Sequence, residues 1–175
     1  MTEGTFLYFA YGSNMLSARL KDRKRCPSAA PLGMASLSGH RLMWHKPSTK
    51  DLSGKCDVVP ASKGEVVHGV LYRISESERE ALDREEGAGP KGGYKAVALS
   101  VVHDGKRVDA ASYQATVSDP SLKPWSWYRA LVVAGAHEHD LPSEYIDGLA
   151  GVEAQLDADT ARHEANMAII PEAFR

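Results

Sequence analysis

Phe6-Leu7-Tyr8-Phe9-Ala10-Tyr11-Gly12-Ser13-Asn14-Met15 is the stretch around which the rest of the chain is organised. Its first six residues are all apolar or aromatic, which suits a strand buried on both faces. The run ends at Gly12, where the backbone turns without a side-chain clash. Ser13 and Asn14 are good helix N-cap residues, and Met15-Leu16-Ser17-Ala18-Arg19-Leu20 comes next with helical spacing. The order predicted is strand, tight glycine turn, helix N-terminus. Such a junction leaves backbone N–H groups unpaired and pointing one way, at the positive end of a helix dipole. A carboxylate or a developing oxyanion is what that place can hold. A buried strand followed by an ordinary capped helix is the plainer reading of the same residues.

Working outward, residues 30–43 mix apolar and small residues in a strand-like way, with Gly39-His40 as a turn. Residues 45–63 are crowded with proline, serine and glycine and read as a loop-rich excursion near a sheet edge, Cys56-Asp57-Val58-Val59 being strand-like. Residues 65–74 are a strand, rich in valine and leucine. Ser75 and Glu78 have capping-box spacing, so a helix is predicted through Leu82 to about Glu86, with Gly87 ending it. After a glycine-rich loop over 88–93, residues 94–103 and 107–116 form two strands joined by Asp104-Gly105, a hairpin turn signal. Pro124 opens a helix over about 125–137, a short one runs from Leu141-Pro142 to Leu149, and the tail is helical in its middle. The pattern is α+β: a mixed, mostly antiparallel sheet or small barrel with helices outside, in one domain over residues 1–175.

Hydrophobic residues make up 43% of the chain and charged ones 25%, the balance of a soluble globular protein. A net charge of −2 argues against nucleic acid as a partner, because nothing is left to neutralise phosphates. The cationic cluster over 21–25 reads as a solvated helix end. No apolar run has the length of a membrane span, and residues 1–4 lead so soon into a strand that no signal peptide is expected. Cys26 and Cys56 have no metal-ligand spacing and are expected as free thiols, placing the chain in the cytoplasm.

Two sites carry candidate chemistry besides the glycine turn. His137-Glu138-His139 resembles a ligand cluster, but alternate residues on a helix do not share a face, so no metal is expected there. In Leu82-Asp83-Arg84-Glu85-Glu86-Gly87, Leu82 must face the core; Glu86 lies one turn on and Glu85 nearly as close, so periodicity does not choose between them. Whichever turns inward sits at the negative end of a helix dipole among other acids, a carboxyl suited to take and give a proton.

Taken together, the glycine turn and this acidic helix end resemble a known family. The opening Phe6-Leu7-Tyr8-Phe9-Ala10-Tyr11-Gly12-Ser13-Asn14 looks like the signature of the γ-glutamylcyclotransferases. Gly69-Val70-Leu71-Tyr72, Leu82-Asp83-x-x-Glu86-Gly87 and Tyr94 are similar to that family's central block. Ser112-Tyr113, Trp127-Tyr128, Gly135-Ala136 and Leu141-Pro142-x-x-Tyr145 extend the likeness over about residues 5–149. The resemblance implies a small mixed β-barrel with flanking helices and a reaction that needs no cofactor. In that reaction the free α-amine of a γ-glutamyl amide attacks its own γ-carbonyl, giving 5-oxoproline and a released amine. By the family pattern Glu86 is the acid/base. Tyr8, Phe9, Ala10, Tyr11, Gly12 and Ser13 would bind substrate, and Tyr94, Tyr113 and Tyr128 would line the pocket.

The partner so implied is a small γ-glutamyl molecule, not nucleic acid or membrane; a homodimer is allowed but not required. Two other readings keep the scaffold. One is the same ring closure on a γ-glutamyl amine, such as a polyamine conjugate or a capped metabolite. The other is a non-catalytic small-molecule binding module, against which a carboxyl beside Gly87 weighs.

Overall fold

The structure is a computed structural model, described here for residues 4–88 and 93–175. Five strands, β1 (Thr5–Ala10), β5 (Val66–Ser75), β2 (Ala30–Ser38), β6 (Tyr94–His103) and β7 (Lys106–Ala115), close a barrel in that order. β1 runs antiparallel to β5, from Thr5 opposite Ser75 to Ala10 opposite Val70. β2 covers the other edge of β5 and touches β6 where Ser36 faces Val102. β6 and β7 form the hairpin that Asp104-Gly105 announces. The barrel closes through one parallel contact, Tyr8 opposite Ala111. This is the mixed, mostly antiparallel barrel expected.

The apolar run of β1 is buried as read: Phe9 and Ala10 are inaccessible, and Tyr8 and Tyr11 nearly so. The segment after it differs from a simple capped helix. Ser13–Met15 make one 3₁₀ turn, Leu16 returns to an extended conformation, and α1 covers only Ser17–Leu20. No side chain caps either piece. The turn is instead pressed into place by α3 (Ser126–Glu138), where Gly135 allows the approach: a Cβ there would lie 2.5 Å from the Leu16 nitrogen.

The capping box at Ser75 is not formed either. Ser75 and Ser77 hydroxyls bond each other, Glu76–Glu78 make a 3₁₀ turn, and α2 spans Arg79–Glu85. The excursion over 45–63 is more regular than expected. β3 (His40–Pro47) and β4 (Gly54–Pro60) pair as a separate two-stranded sheet, with residues 48–53 as its turn. Of the loop assigned to 88–93, residues 89–92 lie outside those described.

The helical tail is structural. α4 (Ser143–Ala150) packs on α3, and α5 (Thr160–Met167) starts at Asp159, whose carboxylate accepts from the Arg162 N–H at 3.0 Å. Asp157 ties the tail to α3, accepting from Trp127 Nε1 at 2.8 Å and from the Arg162 guanidinium. That anchors α3, which carries Tyr128 on its buried side. Cys26 and Cys56 are free and buried. Among the described residues no helix is long and apolar enough to cross a membrane. Nor do three or more His, Cys, Asp or Glu side chains there come together as a metal-binding group. His139 instead hydrogen-bonds the Tyr72 hydroxyl at 3.0 Å.

Candidate active site

A chamber of about 40 Å³ lies where the glycine turn, α2, β4 and α3 meet, walled by Tyr8, Tyr11, Gly12, Ser13, Asn14, Cys56, Glu86, Tyr94, Tyr113 and Tyr128. It opens into an outer basin of about 270 Å³ that shares Ser13, Glu86, Tyr94 and Tyr128. Two regions of sequence more than seventy residues apart thus face one space.

Glu86 reaches it because α2 is fixed by Leu82, which is fully buried. Burying that side chain stabilises the docked helix by about 2 kcal/mol. Glu86 is the residue just past α2; its N–H bonds the Leu82 carbonyl at 2.9 Å, and Gly87 leaves at φ +65°, a conformation that favours glycine. The choice that periodicity left open falls out of this turn: Glu86 walls the chamber, while Glu85 faces only the basin, where it meets Arg25 at 3.8 Å and Lys50 at 3.9 Å.

The carboxylate is not surrounded by like charge alone. Asn14 Nδ2 donates to Glu86 Oε1 at 2.7 Å and to the Tyr8 hydroxyl at 3.1 Å. Arg25 donates to Asn14 Oδ1 at 3.3 Å and lies 3.5 Å from the same Glu86 oxygen. Asn14 is therefore a positioning residue and not a helix cap. Arg25 is not a solvated helix end: it turns into the cleft. Neither role is visible locally, because both depend on a partner sixty or more residues away.

Across from Glu86 is the glycine turn. Among the described residues, the backbone N–H groups of Gly12, Ser13 and Asn14 have no acceptor, as the start of a 3₁₀ turn implies. Gly12 is needed for space, not for φ: a Cβ there would lie 3.1 Å from Cys56 Cβ and 3.3 Å from the Tyr128 hydroxyl. Those two are themselves linked, since the Cys56 N–H donates to the Tyr128 hydroxyl at 3.1 Å and Tyr94 donates to the Cys56 carbonyl at 2.6 Å.

Tyr113 completes the wall, its hydroxyl donating to Asp83 at 2.5 Å while its carbonyl accepts from Tyr11. Burial pushes the phenols of Tyr8, Tyr11, Tyr94 and Tyr128 well above their ordinary range. Burial and then the bond to Asp83 do the same at Tyr113. All five are neutral hydroxyls near pH 7, suited to hydrogen bonding and not to proton transfer. Burial likewise pushes the Cys56 thiol up to about 12, which keeps it from acting as a nucleophile.

Seven of the nine expected substrate-binding residues line this chamber. Phe9 and Ala10 do not: both are fully buried, and neither side chain reaches the cavity. Alternation along β1 explains Phe9, which points opposite to Tyr8. Nothing in the sequence around Cys56 marks it, and Lys46 and Lys55, which line the basin, lie on a hairpin whose composition reads as loop.

Comparison with known proteins bears on what this cleft is for. The chain is 34% identical over 153 residues to a bovine γ-glutamylcyclotransferase, covering 85% of this chain and 79% of the relative. It belongs to the γ-glutamylcyclotransferase family. A human γ-glutamylcyclotransferase is likewise 34% identical, over 155 residues, covering 86% of this chain and 80% of the relative. A family model described as the AIG2-like family matches residues 66–149. A solved γ-glutamyl cyclotransferase superposes with a TM-score of 0.82 at 28% identity, covering 94% of this chain and 99% of that one. The γ-glutamylcyclotransferases are enzymes, and the barrel described above is shared with their solved structure.

Proposed function

We propose that this chain converts a γ-glutamyl amino acid or dipeptide to 5-oxoproline and a free amino acid or amine-bearing fragment, with Glu86 as acid/base. The observation that carries the reading is the pairing of one oriented carboxylate, Glu86, with a turn of unpaired N–H groups across a small tyrosine-walled chamber.

The chemistry balances without a co-reactant. The α-nitrogen of the substrate gives a proton to Glu86 and attacks the γ-carbonyl, forming the ring C–N bond. The carbonyl oxygen takes up negative charge, which the N–H groups of Gly12, Ser13 and Asn14 stabilise. Collapse of that intermediate breaks the bond to the leaving nitrogen, which receives the proton from Glu86. Two protons leave the α-nitrogen in all and two arrive on the departing amine, so none is gained or lost.

The magnitudes suffice. Ring closure within one molecule gains on the order of 7–11 kcal/mol from positioning alone. An oxyanion donor adds about 3–4 kcal/mol, and acid–base help roughly 10²–10⁴-fold. The free thiols of Cys26 and Cys56 support a cytoplasmic location for the reaction.

The test is release of 5-oxoproline from γ-glutamyl dipeptides, compared with the same compounds N-acetylated. Acetylation removes the nucleophile and should stop turnover entirely. Release of free glutamate in place of 5-oxoproline would mean that water attacks, and the protein would be a hydrolase.

A further inference from the structure

The mouth of the cleft carries more positive charge than ring closure requires. Among the described residues, Arg19, Arg25, Lys46, Lys50, Lys55 and Arg84 line the outer basin against two carboxylates, Glu85 and Glu86. Several of these cations have partners: Arg25 and Lys50 meet Glu85, Arg25 also meets Glu86, and Lys55 meets Asp51 at 2.8 Å.

Two withdrawn cations differ. Among the described residues Arg19 has no carboxylate within ion-pair distance; its one side-chain hydrogen bond is to Asn166 at 3.5 Å, and its Nε is buried with no acceptor. Lys46 is only 7% exposed, and its ammonium meets no acceptor among the described residues. It lies instead over the face of Tyr94, 4.5 Å from the ring centre. Glu86 and Asp51 act on both cations from beyond contact distance; a cation withdrawn from water with no carboxylate in contact costs free energy, and a bound anion offsets that cost. The fold also makes room for the arrangement. A Cβ on Gly93 would lie 2.3 Å from Lys46 Cε and 2.6 Å from its Nζ, so a larger residue there would displace the ammonium.

Where these cations sit decides what they meet. Chamber and basin share Ser13, Glu86, Tyr94 and Tyr128. A γ-carbonyl held between Glu86 and the glycine turn has only the basin for its amide substituent. We propose that the basin is the leaving-group subsite, that it selects a leaving amine bearing two carboxylates, as in γ-glutamyl-glutamate or γ-glutamyl-aspartate, and that Arg19 and Lys46 are the specificity-determining residues. This rests on the cyclotransferase reading above. It ranks polyamine and lysine side-chain conjugates last, because their leaving groups bring positive charge among six cations.

The experiment measures kcat and KM for 5-oxoproline release from γ-glutamyl-glutamate, γ-glutamyl-alanine and γ-glutamyl-ethylamide, which carry two, one and no leaving-group carboxylates. With the unmodified protein, kcat/KM should fall about tenfold or more with each carboxylate removed, mainly through KM. The advantage of γ-glutamyl-glutamate should also shrink as salt is added. Arg19→Gln and Lys46→Gln should each reduce the glutamate-to-ethylamide ratio about tenfold. Gly93→Ala should act in the same direction as Lys46→Gln while keeping the charge, because it misplaces the ammonium. Equal kcat/KM for the three substrates, or an unchanged ratio in all three variants, refutes the subsite and leaves the cyclotransferase reading standing. No 5-oxoproline from any substrate refutes both. The substrate comparison needs no variant, so a variant that misfolds does not shield the proposal.

Discussion

Replacing Glu86 by Gln is the perturbation whose consequences the structure constrains most tightly. The amide keeps the length of the side chain and an oxygen that can still accept from Asn14 Nδ2, the 2.7 Å bond that orients it. What it loses is the charge facing Arg25, at 3.5 Å, and Arg25 retains Glu85 at 3.8 Å. Both contacts are long and partly solvated, so the lost ion pair is worth about 0.2–1 kcal/mol. For a chain of this length that lowers Tm by roughly 1–4 °C. The variant should therefore fold. It cannot take the proton of the α-ammonium, and kcat should fall by a factor of about 10² or more, equivalent to roughly 3 kcal/mol in the barrier. Glu85→Gln is the matched control, since Glu85 faces the basin and not the chamber; it should lose less than about tenfold. The assay is 5-oxoproline release at saturating γ-glutamyl dipeptide, with thermal melts of each protein. A folded Glu86→Gln enzyme within threefold of the parent, or a dead Glu85→Gln beside an active Glu86→Gln, would refute the assignment.

The same geometry bears on two other positions. Gly12→Val forces side-chain carbon against Cys56 Cβ and the Tyr128 hydroxyl, 3.1 and 3.3 Å from the added Cβ, and should cut kcat/KM about 100-fold or more by moving the turn; activity within a few-fold, in a protein that melts normally, would show that this turn does not hold the reacting carbonyl. Lys55, drawn down from 10.5 to about 8 by burial against the pull of Asp51, binds fewer protons folded than unfolded between those values. Its contribution to stability should therefore rise with pH across that window, on the order of 1 kcal/mol per pH unit. Urea midpoints of the parent and Lys55→Met, compared at pH 7.5 and 9.5, should diverge in the parent's favour at the higher pH, and a constant gap would disprove the linkage.

Much of this cleft was legible before any fold existed, and the parts that were not share a cause. β1, the hairpin over residues 94–115 and the buried Leu82 are set by local pattern, so their positions could be read directly. Glu86 came from the likeness to a family, since local spacing left Glu85 level with it. Phe9 and Ala10 lie within the same opening signature yet stay out of the chamber, because a motif does not say which of its side chains build the wall and which build the core. Arg25, Asn14 and Cys56 acquire their roles only from partners far along the chain: Glu86 for the first two, Tyr94 and Tyr128 for the third. The hairpin of β3 and β4 was hidden by its composition, since Pro47, Ser48, Ser53 and Gly54 look like loop, although two of them end strands.

The closing contact of the barrel, Tyr8 against Ala111, also sets a schedule. The strand that leads into the glycine turn is made first, its antiparallel neighbour β5 some sixty residues later, and its parallel neighbour β7 some hundred residues later. At translation rates of roughly 5–20 residues per second, that second wait is on the order of 5–20 s. Until β5 emerges the nascent Phe6–Tyr11 segment is an apolar strand with neither edge paired, and until β7 emerges one edge stays open; without charge or proline, it has the composition that associates with other strands most readily. Closure of the barrel around the cleft therefore cannot precede the synthesis of β7. The same strand that gives the chamber Tyr8 and Tyr11 is, until then, an open apolar edge in need of shelter.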